Sequence, residues 1–320
     1  MTVTATPFVA HADWSKNPAK RWVATARWLG SEYLVERPRI GSDNRRFLDD
    51  LQAEAKSTPL FVGFDFPIGV PASFGTRLGV DSFPTLLRTL GRRDNRDLEH
   101  FFSIARRPEE ISCYRPFYPA APGGTSQRHL TDALGVSGMG DLLRICERAT
   151  STRPAANSLF WTLGPKQVGH AAITGWRDVL APAAGSLGTD LAIWPFDGSF
   201  TELLSSPRAV TIVETYPAEA CLHVGIGTPG KGWSKRRQED RALKARDLVH
   251  WLLDKPIVLS PGLVDDLALG FGPGESGEDP FDAVVGLISM LAVILGERGD
   301  GAPSHDNVRQ WEGWILGQSC

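Results

Sequence analysis

Short apolar runs that stop at an acidic residue recur along this chain. Phe8-Val9-Ala10-His11-Ala12-Asp13 reads as a first strand ending at an acid. Residues 21–28 alternate, as an antiparallel strand does, and residues 33–36 suit a third strand. Residues 43–56 carry Phe47, Leu48 and Leu51 at helical spacing, with Ser42 or Asp43 placed as an N-cap. Leu60-Phe61-Val62-Gly63-Phe64 is an unbroken apolar run, the mark of a fully buried strand. Asp65 interrupts it, and Pro67, Gly69 and Pro71 rule out continuation as a central strand. The order strand, strand, strand, helix, strand implies a crossover to a parallel neighbour.

Residues 72–190 have no clear strand pattern. Helices are predicted over 81–90, 97–104, 140–150 and 166–180, around a Pro-, Tyr- and Gly-rich stretch over 108–124. We read this segment as a mostly helical insertion, a cap over the sheet's edge within a single domain spanning 1–320. Strand patterns return over 190–195 and 209–213, the latter β-branched and ending at Glu214 before Thr215-Tyr216-Pro217. Helices follow over Phe200–Ser205, 234–253 and 260–269. A final apolar helix opens at Glu278-Asp279-Pro280-Phe281-Asp282 and runs to about 295. The predicted class is α/β, with a mixed central sheet flanked by helices.

Composition changes this picture little. The net charge of −3 gives no global electrostatic case for a nucleic-acid partner, so any such binding must rest on local basic patches. Four cysteines without CxxC spacing argue against a zinc site or a disulfide framework and fit reduced thiols in the cytoplasm. The most apolar stretch, 283–295, is too short for a membrane span. No Gly-x-Ser-x-Gly elbow is present, and Thr228-Pro229-Gly230-Lys231-Gly232 is not a phosphate-binding P-loop.

The acids carry the candidate chemistry. Asp13, Asp65 and Glu214 end three strands, and strand carboxyl ends are where open α/β sheets bind ligands. Asp279 and Asp282 lie three apart on a helix and share a face. Their bland role is to complement the helix dipole, which explains Asp279 better than Asp282, since Ala283-Val284-Val285 follows at once. Carboxylates gathered at one place repel unless a cation joins them. Mg²⁺ and Mn²⁺ take oxygen ligands and serve phosphodiester displacement. Lys231, Lys235, Arg236, Arg237 and Arg241 are cations that could hold phosphate; their ordinary role is a salt-bridged helix face. Arg88, Arg92, Arg93 and Arg96 read as surface. Arg106, Arg107 and Arg115 interleave with Tyr114, Phe117 and Tyr118, either packing the loop or stacking bases. His11 shares a strand face with Asp13, as a proton carrier or as a hydrogen-bonded core histidine.

Phe64-Asp65-Phe66-Pro67-Ile68-Gly69-Val70-Pro71, Val213-Glu214-Thr215-Tyr216-Pro217 and Glu278-Asp279-Pro280-Phe281-Asp282-Ala283 resemble the signatures of domain-of-unknown-function family 429, described as predicted RNase H-like nucleases. The resemblance runs from Asp13 to Glu312-Gly313-Trp314-Ile315. It departs at Trp14-Ser15, where the family often has a Gly-rich turn, and at Pro280-Phe281, inside the family's Asp-rich helix start. It implies an RNase H-like fold in which Asp13, Asp65, Glu214 and Asp282 ligate Mg²⁺ or Mn²⁺. The helical Asp pair is similar to that of Holliday-junction resolvases. The expected activity is phosphodiester hydrolysis on nucleic acid, with Asp279 assisting and Lys235 or Arg236 stabilising developing charge. Two other readings stay open: a phosphotransferase of the sugar-kinase and actin type, and a non-catalytic RNase H-like binding protein.

Overall fold

The computed structural model describes residues 6–42, 46–90, 98–150, 154–164 and 168–319. It is an α/β structure with a mixed eight-stranded sheet. The strands are β1 (Phe8–Asp13), β2 (Trp22–Trp28), β3 (Tyr33–Val35), β4 (Arg39–Ile40), β5 (Leu60–Phe64), β6 (Leu191–Ile193), β7 (Val210–Glu214) and β8 (Ile257–Leu259). Their spatial order is β6-β7-β5-β1-β2-β3-β8, with β4 pairing the start of β2. β1, β2 and β3 form the antiparallel meander, and β5 runs parallel to β1. β7 then runs parallel to β5, and β6 parallel to β7.

Central β1, β5 and β7 are buried on both faces, which explains why β5 reads as a continuous apolar run. Alternation divides their side chains between two hydrophobic layers. Ala10, Val62, Phe64, Val210 and Ile212 face one layer, while Val9, Phe61 and Val213 face the other. The segment between β5 and β6 fills the first layer with Phe74, Phe83, Phe101, Phe117, Phe160 and Trp176. It therefore covers a face of the sheet, not its edge.

The helices are α1 (Phe47–Ala55), α2 (Ala72–Gly75), α3 (Phe83–Leu90), α4 (Gln127–Leu134), α5 (Gly169–Gly175), α6 (Ala181–Ser186), α7 (Phe200–Ser205), α8 (Pro217–His223), α9 (Gln238–Leu252), α10 (Pro261–Ala268) and α11 (Glu278–Ile294). The second layer is built on α11, whose residues 280–294 are all buried. Among the described residues no helix is long and apolar enough to cross a membrane.

Several local expectations fail for identifiable reasons. Residues 140–150 form two 3₁₀ turns, Met139–Leu142 and Ile145–Glu147, because Glu147 folds back to accept from the Arg144 backbone. Residues 98–104 make turns, while α4 forms from Gln127, capped by Ser126 and stopped by left-handed Gly135. β4 and β8 are too short to show alternation and exist through their neighbours β2 and β3. Arg92, Arg93 and Arg96 lie outside the described residues, as do the predicted helix starts at Asp43, Asp97 and Lys166.

Candidate functional site

Strand register decides which acids meet. Ala12 of β1 pairs with Phe64 of β5, so the next residues, Asp13 and Asp65, stand side by side at two parallel carboxyl ends. Both share the parity of Val9 and Phe61, and so lie on the α11 side of the sheet. Asp65 accepts a hydrogen bond from the Trp14 backbone N–H at 2.6 Å. The two carboxyl groups also act on each other, raising Asp13 and lowering Asp65. Burial first, then the negative charges of Asp65, Asp282 and Asp279, hold the Asp13 carboxyl well above the usual carboxylate range. Burial likewise pushes Asp65 up to about 7, against the Trp14 hydrogen bond.

Asp282 arrives on α11. Close approach of this helix to the sheet depends on two glycines. A Cβ at Gly286 would overlap the His11 ring, and one at Gly63 would overlap Met290. Asp282 lies one turn before Gly286, about 6 Å along the axis. His11 to Asp13 covers about 6.6 Å along its strand, so the two acids reach a similar level. Asp282 is 6% exposed. One of its oxygens pairs with the Lys235 ammonium, while Oδ1 is buried without a hydrogen-bond partner. Burial raises its pKa, and Lys235 opposes that rise. Asp279 sits nearer solvent. Burial raises it, and Lys20, from the β1–β2 connection, lowers it.

Glu214 does not join them. It pairs in register with Phe64, one position short of Asp65, and alternation turns it to the opposite face. There its two oxygens accept a fork from Arg144 at 2.6 Å each, and Oε2 also accepts from the Ile68 N–H at 2.6 Å. The same guanidinium binds Glu147 Oε1 through Nε at 3.0 Å. Glu312 closes the group, accepting from the Ile145 N–H at 2.6 Å and the Ala72 N–H at 3.0 Å. All four side chains are buried. The assignment of Glu214 as a fourth metal ligand is corrected accordingly: it ties the insertion and the C-terminal segment to β7. Arg144 was missed because its pairing is long-range and no local pattern announces it.

On the α11 side, the β7 residue at the level of Asp13 and Asp65 is Thr215. Its hydroxyl bonds His11 Nε2 at 2.7 Å. His11 is fully buried, and burial lowers its pKa to about 3, so it is a neutral core histidine. Arg236 is exposed and reaches Glu275 at 3.7 Å and Glu278 at 3.9 Å, not the acid group. Phe117 and Tyr118 pack into the core, while Arg107 and Arg115 pair with Glu110. That arrangement makes the 108–124 stretch a packed loop.

Asp13, Asp65, Asp282, Asp279 and Lys235 thus interact on one face at the carboxyl ends of β1 and β5. As placed, no three His, Cys, Asp or Glu side chains among the described residues stand close enough to hold one metal ion. Comparison with protein-family models, with curated proteins and with solved structures finds no match to this chain.

Proposed function

We propose that this chain is a divalent-metal-dependent phosphodiester hydrolase with an RNase H-like core, acting on nucleic acid. The observation that carries the reading is that Asp13 and Asp65 end adjacent parallel strands, with Asp282 of α11 near enough for its charge to act on both. The mixed sheet is compatible with it: an antiparallel β3-β2-β1 meander is continued by parallel β5 and β7. Ligand sites of α/β sheets gather at this edge.

The donor set suits a hard cation, since it consists of carboxylate oxygens, one of them buried without a partner. Asp13, Asp65 and Asp282 would hold Mg²⁺ or Mn²⁺. Such an ion, when bound, supplies a Lewis acid for phosphoryl oxygen and an activated water. The chain's own residues orient these acids. Trp14 N–H fixes Asp65, and Gly286 lets α11 bring Asp282 down. Asp279 and exposed Arg236 stand at the rim, where substrate phosphate would arrive.

The direct test is a panel of labelled DNA and RNA substrates with Mn²⁺, comparing wild type with Asp65→Asn and Glu214→Gln. Asp65→Asn is expected to abolish metal-dependent cleavage while its circular dichroism stays native. Glu214→Gln should lower stability and spare cleavage by the folded fraction. Undiminished cleavage by Asp65→Asn would falsify the reading.

A further inference from the structure

Resting on that reading, we propose that Lys235 is a built-in competitor for the cation: its ammonium holds Asp282 until a divalent ion displaces it toward Glu278. Three features of the structure point to a displaceable arm.

The first is its contact. Lys235 Nζ pairs with a single oxygen of Asp282, leaving Oδ1 buried and without a hydrogen-bond partner. A buried carboxylate normally has its oxygens satisfied, and a half-satisfied one retains donor capacity for another cation. The second is a ready landing place. Glu278 lies four residues before Asp282 on the same face of α11, and its Oε1 is already 3.9 Å from the ammonium. Little movement of the side chain would transfer the pairing from one acid to the other.

The third is a fixed base for the arm. Arg241 is fully buried, yet its hydrogen bonds go to backbone carbonyls. It donates to the carbonyl of Lys235 and to those of Gly270, Gly272 and Gly274. The backbone at 235 is thereby pinned to the loop before α11, while the four-carbon stem beyond it can turn. In this state a monovalent charge is paired with an oxygen of Asp282 that a divalent ion would use. Coulomb's law sets the sign: a unit positive charge a few ångströms from the ion weakens its binding.

The experiment is calorimetric titration of the full-length protein with Mn²⁺, comparing wild type, Lys235→Met and Lys235→Met/Asp282→Asn. Methionine keeps much of the stem and removes the charge. Lys235→Met is expected to bind Mn²⁺ at least about tenfold more tightly than wild type, a modest Coulombic gain, and the added Asp282→Asn should remove that gain. Equal or weaker binding by Lys235→Met, with wild-type binding measurable, overturns the competitor role and leaves the metal reading standing. Absence of Mn²⁺ binding in both folded proteins overturns both. A second measurement needs no variant. The wild-type Lys235 ammonium resonance, followed by ¹H–¹⁵N NMR, should shift on Mg²⁺ addition, and a signal unmoved at saturating Mg²⁺ likewise sinks the proposal.

Discussion

At the scale of single residues, charge partners separate the two groups of buried acids. Glu214 has a dedicated counter-ion in Arg144, held by paired hydrogen bonds at 2.6 Å. Asp13 and Asp65 instead stand beside each other, and burial raises the pKa of both. Removing one partner of a buried ion pair strands the other charge, so Arg144→Met should cost about 3–5 kcal/mol, read from urea denaturation. Loss below about 1 kcal/mol would show that the Glu147 and Glu214 carboxyls find other partners. The raised pKa values make a separate prediction. With folded pKa values raised, Asp13 and Asp65 keep protons that the unfolded chain has released above its usual carboxylate range of about 4. Their contribution to stability is therefore complete below about pH 4, and that of Asp65 is lost as pH rises through about 7. His11 and His223, both lowered to about 3 by burial, act in the opposite sense below their ordinary range. The clean measurement is thus the stability difference between wild type and Asp65→Asn. It should move against wild type as pH rises from about 5 to about 8, and a flat difference would contradict the raised pKa of Asp65.

Between elements, the decisive contact is α11 against β1 and β5. A helix axis can come this near a strand where a side chain is missing, and Gly286 and Gly63 provide two such places. Gly286→Ala would drive a methyl group into the His11 imidazole, which is itself held by Thr215. Overpacking of this kind should lower stability by about 1–3 kcal/mol despite alanine's better helix propensity. It should also lift Asp282 from Asp13 and weaken Mn²⁺ binding relative to wild type in calorimetry. A variant as stable as wild type would mean that the helix seats differently. Loop elements matter as much as helices here, since the two 3₁₀ turns around Arg144 aim it across the core at β7.

Over the whole molecule, charge is nearly balanced, so under the proposed function affinity for nucleic acid would have to come from the rim of the site. Lys20 on the β1–β2 connection and Arg236 before α9 are exposed cations of that rim. Each phosphate contact contributes roughly 0.7–0.9 to the slope of log affinity against log salt. A Lys20→Ala/Arg236→Ala double variant should bind single-stranded oligonucleotides more weakly, with a slope shallower by up to about two. An unchanged slope would place the phosphates elsewhere. The sheet itself keeps the rim and the Arg144 group apart, because they occupy opposite faces.

Much of the architecture was written in the order of residues. Apolar runs broken by Asp13, Asp65, Pro67 and Glu214 marked β1, β5 and β7 to within a residue, because a strand buried on both faces tolerates few polar positions. The long apolar course of α11 was equally plain, as was the chance that Asp279 and Asp282 share a face. Register was not. Asp65 lies just beyond β5 and Glu214 is the last residue of β7, a one-residue difference with no local signature. Backbone pairing between β5 and β7 turns that difference into opposite faces, since side chains alternate at every step along a strand. Residue order thus supplied four acids, and three-dimensional packing chose Asp13, Asp65 and Asp282 as neighbours while giving Glu214 to Arg144.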